Sequence, residues 1–220
     1  MNEALDDPVD LSGLPPRRPN WQNTAVIGGI HEDDFDIALG YLQAADILAS
    51  HWIRSGTNDA LPVPIYNNYR HSIELSLKAC IRLAANCLRC NGVDLSSDEP
   101  DKLVNASHAI GHLADRLNQY LGRLLEAPNN RIPEKTQETL DWLHQLDENG
   151  QTFRYSTVKG GKGKGVAQAR PNQQTIDFDA DCRRLHDAGW MLYSAVGGYL
   201  DNHAALQAEY YAEMAPDAAW

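Results

Sequence analysis

Arg70, Glu74 and Lys78 stand four residues apart, with His71 beside the first, in the stretch Tyr69-Arg70-His71-Ser72-Ile73-Glu74-Leu75-Ser76-Leu77-Lys78. On a helix this spacing puts a guanidinium, a carboxylate and an ammonium on one stripe. An apolar face of Ile73, Leu77, Ile81 and Ala84 backs it. Such a stripe serves one of two ends. Its members are solvated charge pairs, each worth about 0.3–0.5 kcal/mol, or they form the polar wall of a pocket between facing helices. Further along, Phe153-Arg154-Tyr155 sets an arginine between two aromatics. Period-two alternation aims Phe153 and Tyr155 at the core and Arg154 away from it. The planar fork of Arg154 suits a carboxylate such as Glu74, or a phosphate. The expected contact is an Arg154–Glu74 pair, or a cluster that also holds His71.

Three other patterns could carry chemistry. His108 and His112 have the spacing of two imidazoles on one metal, but Ala109 stands where a zinc hydrolase has glutamate, and no third ligand is evident. No metal is expected. Cys87 and Cys90 have the spacing of a zinc or redox pair without a second pair. Gly160-Gly161-Lys162-Gly163-Lys164-Gly165 is not a phosphate-binding loop of the Walker type, because no lysine followed by serine or threonine closes it. Yet from Ser156 to Thr175 the chain carries Lys159, Lys162, Lys164 and Arg170 and no acid. That segment reads either as a solvated flexible loop or as a mobile contact to a phosphate backbone.

These residues belong to a chain of 220 residues with a formal charge of −11, so a general attraction to nucleic acid or anionic lipid is excluded and any such contact must be local. No apolar run approaches the ~18 residues of a membrane span. The acidic N-terminus lacks the layout of a secretion signal. The four cysteines, Cys80, Cys87, Cys90 and Cys182, read as free thiols of a cytoplasmic protein.

The elements that position the candidates are helices. Residues 1–30, with Pro8, Pro15, Pro16 and Pro19, read as an extended or mobile arm. Phe35, Leu39, Leu42, Ala45, Ile47, Leu48 and Trp52 recur at three and four, capped by Asp33 or Asp34. A second helix runs from Pro62 or Pro64 to Cys90, after which Ser96 to Asp101 reads as a polar loop. A third covers about 106–126, and a fourth is opened by Pro133. Asp147-Glu148-Asn149-Gly150 is a turn, followed by a short extended segment near 151–158. Asp177 or Asp179 caps a last long helix. The expectation is an all-α bundle of about five helices spanning 31–204, with a tail at 205–220.

In this order the pieces resemble a HEPN-type domain, the helical family widespread in prokaryotic defence and toxin–antitoxin systems. The resemblance rests on Arg70-His71 opening the second helix, on the helix at His108 to Leu117, on the turn running into Phe153-Arg154-Tyr155, and on the long closing helix. Ribonuclease members of that family carry an arginine followed, after four to six residues, by histidine near the last helix. Arg183 and Arg184 precede His186 too closely for that, and His203 lies too far. What the resemblance implies is a module binding a nucleotide or RNA without cofactor, with Arg70, His71, Glu74, Lys78 and Arg154 as its polar site. A homodimer and a partner protein of a defence system belong to the same expectation. The alternatives are a ribonuclease with a variant active site, using His71 as base, and a purely structural dimerising interaction protein.

Overall fold

The computed structural model describes residues 25, 27–28, 32–56, 59–124, 130–159 and 165–214. They form an all-α bundle with one small antiparallel hairpin, as the periodicity predicts. The helices are α1 (Asp34–Ser55), α2 (Pro62–Cys90), α3 (Glu99–Ala106), α4 (Ile110–Leu124), α5 (Glu134–Leu146), α6 (Phe178–Trp190) and α7 (Gly198–Met214). A π-helical segment, Met191–Gly197, joins α6 to α7 with right-handed helical dihedrals at both junctions, so the three run on as one rod. Among the described residues no helix is long and apolar enough to cross a membrane.

Local chemistry accounts for the boundaries. Asp33 caps α1 by accepting from the amides of Phe35 at 2.8 Å and Asp36 at 2.9 Å. Gly56 closes it at φ +61, a left-handed conformation that costs glycine nothing. Prolines occupy the first turn of α2, where a missing N–H goes unnoticed. Asp177, not Asp179, caps α6 through the Ala180 amide at 3.2 Å.

Helix α2 is the hub. Its partners are α1, α3, α4, α6, the π segment and α7, and residues around its whole circumference are buried, from Ile65 to Leu88. That explains why Arg70, Glu74, Ser72 and Ser76 are buried along with the apolar face.

The structure departs from the sequence reading in four places. The third helix starts at Ile110 rather than near 106, and a separate helix α3 occupies part of the stretch read as a loop. Pro100 in its first turn sets a helical φ, and Val104 seats it on the core. The short extended segment expected near 151–158 is present but begins late: residues 151–155 form turns, and pairing begins at Thr157. There β1 (Thr157–Lys159) meets β2 (Val166–Gln168), in the register Val158 opposite Ala167, so part of the stretch read as mobile is ordered. Helix α7 continues to Met214, well past the 204 boundary. The N-terminal arm through Asn23 and Thr24, and Lys162 and Lys164, lie outside the described residues.

Candidate functional site

Arg70 is 1% exposed and its guanidinium is shared among three segments. Nη1 donates to Glu74 Oε2 at 2.8 Å, one turn along α2. Nη2 donates to the His108 carbonyl at the entry to α4. Nε lies 2.8 Å from Asp147 Oδ2 at the end of α5, an ionic contact whose N–H does not align with the oxygen. The other oxygen of Asp147 accepts from the amides of Gln151 at 2.9 Å and Thr152 at 3.0 Å, which folds the turn around it. Gly150, at φ +74, lies so close that a Cβ there would stand 2.8 Å from Arg70 Nη2.

Glu74, also 1% exposed, accepts from Arg70, from Lys78 Nζ at 2.8 Å and from His108 Nδ1 at 2.8 Å. Burial raises its pKa, but the hydrogen bonds from Lys78, His108 and Arg70 outweigh it and hold the carboxyl at about 2. Glu74 is therefore an anion at neutral pH, fully engaged. That leaves no room for Arg154: of the two expected arrangements the direct Arg154–Glu74 pair does not form, and Arg154 joins the group only through His71. Arg154 is exposed and reaches His71 instead, with Nη2 3.3 Å from Nδ1.

His71 is half-buried, with the Tyr41 ring edge-on at 4.4 Å. Burial lowers its pKa, and the charges of Arg154, Arg70 and Lys78 lower it further against the pull of Glu74. The ring is thus neutral, accepts from Arg154 at Nδ1, and carries its proton on Nε2. Phe153 packs against Tyr66 at 5.2 Å, as alternation predicts, but Tyr155 is 56% exposed rather than core. The reason is the run of turns at 151–155, which has no strand alternation.

The polar residues singled out on α2 are thus brought together, at two depths. Arg70, Glu74 and Asp147 form a closed buried layer. Lys78, His71, His108 and Arg154 form a rim above it, with the His108 side chain 51% exposed. Asp147 and His108 were missing from the sequence-derived site. Asp147 reads there as a turn former and His108 as half of a metal pair, and no pattern links either to α2. His112, whose spacing from His108 would allow two imidazoles on one metal, lies against His144, with the ring centroids 5.9 Å apart and the planes tilted by 49°. No group of metal-ligating side chains is found among the described residues.

The remaining candidates separate. Arg170 donates to the carbonyls of Thr152 and of Tyr155, the latter at 3.2 Å, so it ties the hairpin to the turn bearing Arg154. Lys159 is exposed at the end of β1. All four cysteines are free; the buried Cys80 and Cys182 thiols are pushed up to about 12 by burial, which leaves them unreactive. No family model, curated protein or solved structure matches this chain.

Proposed function

We propose that the chain is a HEPN-like helical module that binds a nucleotide or RNA through the rim of α2, within a prokaryotic defence or stress system. The observation that carries this reading is the charge balance of the cluster. Three cations, Arg70, Lys78 and Arg154, face two carboxylates, Glu74 and Asp147, in a chain whose formal charge is −11. Arg70 and Lys78 together balance the two buried acids, so the cluster carries one cation in excess, and its outward-facing groups are the arginine fork of Arg154 and two imidazoles. A neutral His71 oriented by Arg154 offers an Nε2–H donor beside that fork, which suits a phosphate oxygen. Homodimerisation and a protein partner belong to the same proposal.

A second reading, cleavage of a phosphodiester with a variant site, draws on one contact. Glu74 orients His108 through Nδ1 and leaves its exposed Nε2 as a base, a better placed one than His71.

Fluorescence anisotropy with labelled mononucleotides and short single-stranded RNA, followed by product analysis, tests both. Binding is expected to weaken with salt, and Arg154→Gln to reduce the log–log slope by ~0.7, one single-strand counterion. Equal affinity and slope in the variant remove the rim from the reading. Absence of binding at low salt leaves a structural interaction protein whose charges are clamps.

A further inference from the structure

We propose that the cleft between the start of α5 and the junction of α6 with the π segment is a binding site for a small carboxylate with a compact apolar body. It lies apart from the α2 rim and stands independently of the function proposed there. The cleft encloses about 250 Å³. At the ~30 Å³ one water takes in the liquid, that is room for roughly eight non-hydrogen atoms.

Its floor is Thr136, Thr139 and Ala188, all buried. Thr139 satisfies its hydroxyl on the Lys135 carbonyl at 3.1 Å. Thr136, 6% exposed, makes no side-chain hydrogen bond to the described residues, but its oxygen is not sealed off: it opens onto the cleft, where a ligand acceptor can meet it.

The wall supplies charge. Arg184 lies 3.1 Å above the Trp142 ring, held by Asp181 at Nη2, while its buried Nε–H has no acceptor. Lys135 and Asp187 bridge α5 and α6 at 2.9 Å, both largely exposed. Two cations therefore line the cleft, each with one carboxylate partner, Asp181 for Arg184 and Asp187 for Lys135. A ligand anion can take Lys135 from Asp187 at little cost, because an exposed pair of that kind is weak.

The rest of the lining is apolar. Pro133, Met191 and Ala195 flank the space, and Trp190 stands at its edge, 49% exposed. The cleft also sits where the helix switches to π geometry. Short π turns inside helices are found frequently at functional sites.

The probe is benzoate, with benzamide as its uncharged isostere. The readout is the indole N–H resonances of the full chain in ¹H–¹⁵N correlation spectra, with Trp190 assigned by Trp190→Phe. Expected are saturable shifts of Trp142 and Trp190 with benzoate in the millimolar range or below, and weaker binding of benzamide. Thr136→Val keeps the shape of the floor and is expected to weaken benzoate by roughly two- to tenfold. Ala195→Phe, on an exposed helix face, is expected to block the mouth and abolish the shifts with the thermal midpoint unchanged. No saturable shift in the folded wild-type chain overturns the proposal. So do undiminished shifts in Ala195→Phe, or equal affinity for benzoate and benzamide.

Discussion

Arg70 is where α2, the entry to α4 and the end of α5 converge, and its contribution is settled by what its removal would expose. Arg70→Met would leave Glu74 and Asp147 as buried carboxylates without their shared cation. Breaking a buried pair in that way costs about 3–5 kcal/mol. Urea denaturation at neutral pH is the measurement, and an unchanged midpoint would show the guanidinium contributes nothing to the fold. The same network sets an acid limb. Glu74 has a folded pKa of about 2 against an ordinary 4.5. A depressed carboxylate adds stability that is fully present above 4.5 and is lost as pH falls toward 2, on the order of 3 kcal/mol for a group this buried. Glu74→Gln, destabilised throughout, is expected to lose that share of the slope.

At the scale of the element, the closing rod shows packing and propensity opposed at adjacent positions. A Cβ at Gly197 would stand 2.9 Å from the Phe35 ring, while one at Gly198 would meet nothing within 4 Å. Alanine gains up to ~1 kcal/mol over glycine inside a helix, and overpacking costs ~1–3 kcal/mol. Gly197→Ala is therefore expected to lower the thermal midpoint and Gly198→Ala to raise it. Two midpoints moving together would show that the close approach to α1 carries no weight. Long elements were legible beforehand, because α1, α2 and α5 have both an apolar stripe and a capping or proline signal at the start. Helix α3 was not, since eight residues with Val104 as their apolar anchor give no repeat. The π segment was not either, because nothing in Met191–Gly197 distinguishes it from the helix on either side.

For the whole molecule, the position of α2 has a thermodynamic consequence. Every other described helix meets it; α5 does so through the Trp142 ring, 6.4 Å from that of Tyr66, and through Asp147 on Arg70. Loss of any one helix exposes part of the same core, so unfolding is expected to be a single cooperative transition. Tryptophan fluorescence samples five residues, of which Trp52 on α1, Trp142 on α5 and Trp190 on α6 lie among the described ones. Its denaturation curve is expected to superimpose on that from far-UV circular dichroism; separated curves would mean the bundle divides.

By itself the sequence determined the helical class, the approximate spans of α1 and α2, an acidic cap at the start of α1 (Asp33 or Asp34) and of α6 (Asp177 or Asp179), and the grouping of Arg70, His71, Glu74 and Lys78 along one helix. These follow from periodicity and local hydrogen bonding, which act over a few residues. Tertiary structure alone decided that Arg70 and Glu74 are sealed inside while Arg154 and His108 stay outside. It gave Glu74 to His108 and Lys78 rather than Arg154, and it left the Thr136 hydroxyl facing an open cleft. Each of those outcomes depends on which helix face is covered by a neighbour tens of residues away, and charge at a given spacing carries no trace of that.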